Sequence, residues 1–160
     1  MQRIVTHLWF DGRIEEALEF YTSLLPDSRV LEIIHYSEVG PGSPDEIMFA
    51  DFELAGQRFT LVNGNTFFKP NAALSLCINC DSQAEIDRLW ERMTTDGGAE
   101  SVAGWLTDRF GVSWQISSTR LHEMLASDDA AAVVRVTKAF MTMAKLDIAA
   151  LERAFRGEKT

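Results

Sequence analysis

Two stretches decide the fold: LWFDGRIEEALEFYTSLL at 8–25 and LCINCDSQAEIDRLWERM at 76–93. Each opens on a short apolar run that suits a strand and breaks at a polar turn. Each then continues with apolar residues at helical spacing, Ile14, Ala17, Leu18, Tyr21, Leu24 and Leu25 in the first and Ile86, Leu89, Trp90 and Met93 in the second. Both helices carry an apolar-aromatic pair on their last turns, Phe20-Tyr21 and Leu89-Trp90. Pro26-Asp27 stops the first helix; in the second, Ser82 with Glu85 forms a capping box and Gly97-Gly98 ends the run.

Strands flank both helices. Ile4–Phe10 precedes the first, and Val30–Tyr36, Ile47–Leu54 and Arg58–Val62 follow it, with the Gly/Pro-rich loop SEVGPGSPD at 37–45 and a hairpin turn at Ala55-Gly56. Ala73–Asn79 precedes the second, and strands at about 100–106 and 112–118 follow it around a turn at Asp108–Gly111. A unit of roughly 70–75 residues is too long for a solenoid repeat. The pattern predicts an α+β chain forming a single domain over 1–160, made of two βαβββ modules at about 1–66 and 72–119 and a helical tail at about 120–157. In that tail Leu121, Met124 and Leu125 mark a helical turn. Ser127 or Asp128 is placed to cap a helix with the stripe Val133, Val136, Phe140 and Met143, and Asp147 to cap another with Ile148, Leu151 and Phe155.

The 160 residues are 46% hydrophobic and 24% charged, the composition of a globular chain with enough length to bury its own core. Fifteen Lys and Arg against 24 Asp and Glu give a net charge of −9, so the chain repels phosphate and anionic lipid at long range. Nucleic-acid and membrane partners are therefore not expected. No apolar stretch approaches the roughly 20 residues of a membrane helix. Charged residues from Arg3 to Glu16 leave no secretory core, and with two Cys the expected compartment is the cytoplasm.

The run GWLTDRFGVSWQI at 104–116 resembles the PhnB-like, demethylubiquinone methyltransferase-like branch of the vicinal oxygen chelate superfamily, which includes glyoxalases, bleomycin-resistance proteins and dioxygenases. LWFDG at 8–12, EEALEFY at 15–21, the Phe68-Lys69-Pro70-Asn71 segment and MAKLDIAALERAF at 143–155 extend the resemblance over nearly the whole chain. Ala103 stands where many members carry a Cys, so no role of that Cys transfers to this chain. The resemblance implies a curved, half-open, eight-stranded mixed sheet around a cavity, and a homodimer. Metal-dependent members hold a divalent ion, and the resemblance puts the corresponding positions near Val5 or His7, Phe59, Ala73 or Ser75, and Gln115, the last standing where a Glu is typical. His7 and Gln115 are the donors in that set, and two neutral ligands leave a divalent charge unbalanced. No metal and no other cofactor is expected.

Strand alternation separates the candidate cavity residues from the core. Leu8 and Phe10, then Leu74, Leu76 and Ile78, then Val112, Trp114 and Ile116, suit faces covered by helices. The opposite parity collects small and polar side chains. The candidate ligand-binding residues are His7, Trp9, Ser75, Cys77, Ser113 and Gln115 from this parity, Phe59 as a position the resemblance implies, and Trp105 as a ring able to stack on a ligand. Each also has an ordinary structural reading: His7 as a hydrogen-bonded structural histidine, Gln115 as a partner of backbone groups, Trp9 and Trp105 as core or dimer residues. Phe67 and Phe68 form a lid or simply cover an edge, Asp108-Arg109 is a solvated turn pair, and Asp51, Glu53 and the Glu15-Glu16-Glu19 group lie on solvated faces. Cys77-Ile78-Asn79-Cys80 has CxxC spacing but begins inside a strand, which argues against a redox or zinc site.

The function expected is binding of a small molecule in a sheet-lined cavity without a catalytic metal, with catalysis left open. One alternative is a divalent-metal-dependent lyase, isomerase or dioxygenase; another is a dimer that sequesters a drug or metabolite. Methyl transfer, suggested by the branch name, is disfavoured: the candidate turns Asp11-Gly12 and Gly97-Gly98 do not make the glycine-rich strand–helix turn that cradles a nucleotide cofactor.

Overall fold

The computed structural model describes residues 2–64 and 68–158. The chain divides into two compact units, Met1–Pro70 and Asn71–Thr160. The first contains β1 (Thr6–Phe10), α1 (Ile14–Thr22), β2 (Arg29–His35), β3 (Ile47–Leu54) and β4 (Gln57–Asn63). The second contains β5 (Ser75–Cys80), α2 (Gln83–Thr94), β6 (Ala99–Glu100), β7 (Trp105–Thr107) and β8 (Ser113–Ser118), followed by α3 (Thr119–Leu125), α4 (Ala130–Phe140) and α5 (Ile148–Arg156). Each unit holds one four-stranded sheet, in the orders β1-β4-β3-β2 and β5-β8-β7-β6. The first strand of each module pairs parallel with its last, and the other neighbours are antiparallel. The chain is thus α+β, with two βαβββ modules of the same topology and C-terminal helices.

In the first unit α1 covers one face of its sheet. Ile14, Ala17, Leu18 and Tyr21 on the helix meet Leu8, Phe10, Ala50, Phe52, Phe59 and Leu61 on the strands, all buried. Three rings form the centre of this layer: Tyr21 stacks on Phe52 at 5.9 Å between centroids, and Phe52 on Phe59 at 5.4 Å. Each such ring contributes roughly 1.5–3 kcal/mol through burial. In the second unit Ile86, Leu89, Trp90 and Met93 of α2 supply the buried stripe opposite Ile78, Leu106, Trp114 and Ile116. The Ser82 hydroxyl accepts from the Glu85 amide at 3.2 Å and caps α2.

Several local expectations change. The strand expected at about 100–106 is two short strands, β6 and β7, because Ala103 and Gly104 adopt left-handed backbone angles (φ 58° and 81°). The tail fixes this turn: the Ala103 and Gly104 amides donate to the Met143 and Ala144 carbonyls at 2.6 and 2.8 Å. A Cβ at position 104 would sit 2.7 Å from the Ile116 carbonyl oxygen, so only glycine fits. Leu74, expected in the core, precedes β5 and is 61% exposed. The cap of α4 is Asp129 rather than Ser127 or Asp128, its carboxylate accepting from the Ala132 amide at 3.0 Å. Asp147 caps α5 as expected.

Asp108 is the largest departure. It is 2% exposed instead of solvated. Its carboxylate accepts from the Phe110 and Val112 amides at 2.8 and 3.0 Å and from the Trp114 indole at 2.8 Å. The charge thus holds the β7–β8 turn closed and anchors Trp114, a fully buried side chain. Arg109 beside it pairs with Asp96 at 2.9 Å. Replacing Asp108 with Ala strands buried donors and is expected to destabilise the chain by about 3 kcal/mol, with Asp108→Asn costing less because one acceptor oxygen remains. Urea unfolding of the two variants checks this; equal and negligible losses would contradict it.

Candidate functional site

The face of the first sheet that α1 does not cover is arranged in rows across the strands. Pairing of His7 with Thr60 and of Thr60 with Asp51 makes a polar row. One step along, Trp9 pairs with Val62 and Val62 with Phe49, and Phe49 continues to Ile34 of β2, which makes an apolar row. Arg58 lies beyond the polar row, next to Glu53. Period-two alternation puts all of these on one side.

A cleft of about 300 Å³ opens over the polar row, lined by His7, Asp51, Arg58, Thr60, Phe49 and Ile34 among others. Asp51, expected on a solvated face, is largely enclosed there. It accepts from the Thr60 hydroxyl at 2.6 Å and from the Arg58 guanidinium. Burial pushes the Asp51 carboxyl up. The hydrogen bonds from Thr60 and Arg58, with the charges of Arg58 and His7, outweigh that and hold it below its ordinary 3.8. This network carries no sequence signature, since Asp51, Arg58 and Thr60 come together only through the β3–β4 register.

A larger cleft of about 600 Å³ adjoins it over the apolar row, with Phe49 common to both. Trp9, Tyr36, Met48, Phe49 and Val62 supply its apolar surface, and Asp11 and Glu46 its charge. Asn63 organises one end. Its amide group donates to the Ile47 carbonyl at 2.8 Å and accepts from the Gly12 amide at 3.0 Å, while its backbone carbonyl accepts from the Tyr36 hydroxyl at 2.5 Å. The backbone at Gly64 lies on the Trp9 ring: a Cβ there would come within 2.0 Å of Cζ2. Phe68 meets the same indole edge-to-face at 5.4 Å. Phe67, the other half of the expected lid, lies outside the described residues. Tyr36, Asp11 and Glu46 were not among the expected site residues; the Gly/Pro-rich 37–45 loop beside Tyr36 was the one available signal.

The expected candidates divide accordingly. His7 and Trp9 lie on the uncovered face, one in each cleft. Phe59 does not: it pairs with Thr6, on the opposite parity, and its ring is buried in the Tyr21–Phe52 stack. In the second unit, β5, β8 and β7 bring Ser75 beside Ser113, Ser113 beside Thr107, Cys77 beside Gln115 and Gln115 beside Trp105 on the face away from α2. Ser113 is buried, whereas Ser75, Gln115 and Trp105 are half-buried and Cys77 is exposed. The Gln115 amide reaches the Ala103 carbonyl at 3.5 Å. Both cysteines are free; burial pushes the Cys77 thiol up and, with the charge of Glu85, pushes Cys80 up to about 12. Both thiols then stay protonated near neutral pH, and the odd spacing sends them to opposite faces of β5.

The positions a divalent ion would use do not fit one. Phe59 is a core ring, and no carboxylate stands among His7, Ser75 and Gln115. Among the described residues no group of three or more His, Cys, Asp or Glu is placed to hold a metal. None of the described helices is long and apolar enough to cross a membrane.

The family model of 3-demethylubiquinone-9 3-methyltransferase matches residues 2–117. Among solved structures, the Bacillus cereus PhnB protein is 37% identical over 74% of this chain and 100% of its own, with a TM-score of 0.68. The Pseudomonas aeruginosa protein PA1353 is 24% identical over 74% of this chain and 98% of its own, with a TM-score of 0.60. The fosfomycin resistance protein FosX of Mesorhizobium loti, 17% identical over 79% of this chain and 100% of its own, shares the fold with a TM-score of 0.53. Comparison with curated proteins finds no match.

The Asp51 network has a direct consequence for acid stability. A carboxyl held below its ordinary 3.8 contributes stability that is whole above that value and is lost as pH falls through the folded-state value. Arg58→Gln removes a donor and a charge while burial stays, so the Asp51 midpoint should rise and the loss should begin at higher pH. Carboxyl-carbon NMR titration of Asp51 in both proteins measures this, and an unmoved midpoint would contradict the assignment.

Proposed function

Since the chain belongs to the 3-demethylubiquinone-9 3-methyltransferase family, within the PhnB-like branch of the vicinal oxygen chelate superfamily, we propose that it binds a small organic molecule on the uncovered face of its first sheet, without a catalytic metal. The observation that carries this reading is the cleft of about 600 Å³ whose wall is Trp9, held flat by Gly64 and edge-on by Phe68. Small-molecule sites are concave, mostly apolar and largely pre-formed, and this volume falls in their usual range of roughly 300–1,000 Å³. The second sheet's polar face, with Ser75, Cys77, Trp105, Ser113 and Gln115, is a further candidate surface. Methyl transfer is not part of the proposal: the strand–helix turns Asp11–Arg13 and Asp81-Ser82 do not make the glycine-rich cradle by which the doubly wound methyltransferase fold holds its nucleotide cofactor.

The reading includes a homodimer. β2 is an edge strand with Val30, Leu31, Ile33 and Ile34 all at least 37% exposed, an apolar edge of the kind that chains cover by association. Sedimentation equilibrium should give twice the 18.0 kDa chain mass; a species of single-chain mass at all concentrations would remove the dimer.

A thermal-shift screen of neutral and charged aromatic fragments tests the binding. A fragment at about a hundred times its Kd should stabilise the folded chain by about 2.7 kcal/mol. Trp9→Ala should abolish that gain while His122→Ala, on α3 of the second unit, retains it. Fragments whose effect survives Trp9→Ala would place binding elsewhere.

A further inference from the structure

The charge pattern of the larger cleft is one-sided. Asp11 and Glu46 contribute carboxylates to its lining, and none of the described lining residues is Lys, Arg or His. Four hydrogen-bond donors around it are engaged within the protein: the Tyr36 hydroxyl with the Asn63 carbonyl, one N–H of the Asn63 side-chain amide with the Ile47 carbonyl, the Gly12 amide with the Asn63 side chain and the Gly64 amide with the Phe10 carbonyl. An anionic ligand would therefore meet two carboxylates and find these donors taken. The apolar surface consists of Trp9, Tyr36 and Phe49 with Met48 and Val62. Indole and phenol faces attract cations through their quadrupoles. The Tyr36 ring is held for this, because a Cβ at Gly42 would come within 2.3 Å of it. A net charge of −9 adds a long-range field that draws cations toward the chain.

We infer that the Trp9–Tyr36 cleft selects an amphipathic organic cation: an aromatic or branched apolar body carrying one ammonium-type charge. The inference rests on the small-molecule reading above and adds its ligand class. The apolar body lies against Trp9, Phe49 and Val62, and the charged head is directed to Asp11 and Glu46 at the rim. Asp11 and Glu46 are exposed, so the head keeps part of its water while the body loses its own. Specificity then comes from charge at the mouth and affinity from aromatic burial.

Three probes share one apolar body and differ only in charge: 4-tert-butylbenzylammonium, 4-tert-butylbenzyl alcohol and 4-tert-butylbenzoate. Calorimetric titration of each into the full chain should rank the ammonium first and the benzoate last, with ammonium over alcohol by about tenfold at low salt. The double variant Asp11→Asn/Glu46→Gln should collapse that ratio toward one, and added salt should narrow it in the unsubstituted chain. Circular dichroism melts of the variant confirm that it folds; both side chains are exposed, so a fold loss is not expected. Trp9-dependent binding with no preference for the ammonium would overturn the ligand class and leave small-molecule binding standing. Binding of none of the three to the folded chain would overturn both.

Discussion

Parallel pairing of each module's first strand with its last, Thr6 against Phe59 and Ser75 against Ser113, is the constraint on which the remaining structure depends. It places the strand before each helix at one edge of its sheet, beside the last strand of the module, and leaves a single helix to cover the sheet. One helix covers one face. The other face keeps whatever the alternate residues provide, and in the first unit these are graded from Arg58 and Asp51 through Thr60 and His7 to Trp9, Val62 and Phe49. A register slip of one residue would exchange this graded face for the Tyr21–Phe52–Phe59 stack. The site and the core are therefore specified by the same pairing.

Much of this was legible in the chain. The helical stripes ending in Phe20-Tyr21 and Leu89-Trp90 gave both modules, and the run at 104–116 gave the family. Alternation placed His7 and Trp9 opposite Leu8 and Phe10 correctly because β1 has no irregularity. Phe59 was misplaced because its position was carried over from a resemblance, and the parity of β4 follows from its pairing with β1 and β3. Asp51 and Asp108 were misread for a common reason. Composition treats an acidic residue as solvated, whereas burial depends on donors brought by distant strands or turns, Arg58 and Thr60 in one case and the Trp114 indole in the other. The split of β6 from β7 was invisible because the carbonyls that impose it come from Met143 and Ala144, some forty residues on.

The same physics accounts for what the large cleft offers a ligand. Asn63 consumes hydrogen-bonding capacity on three sides, tying the end of β4 to the start of β3, to the β1–α1 turn and to Tyr36. Those three bonds tie the end of the sheet together and engage the Tyr36 hydroxyl and the Gly12 amide. Glycines at 42 and 64 let backbone lie against the two rings, which fixes their orientation before any ligand arrives. Aromatic walls with carboxylates beside them are what the larger cleft presents. The smaller cleft, with His7 near the Asp51 carboxylate, holds the titratable groups adjacent to it.

An amide chemical-shift map of the intact chain titrated with 4-tert-butylbenzylammonium tests directly whether the uncovered face of the first sheet binds a ligand. Saturable shifts are expected at the Trp9 indole, Gly12, Tyr36, Gly42 and Gly64, with smaller changes at His7 and Thr60. Shifts confined to the second unit, or none that saturate, would contradict binding at that face.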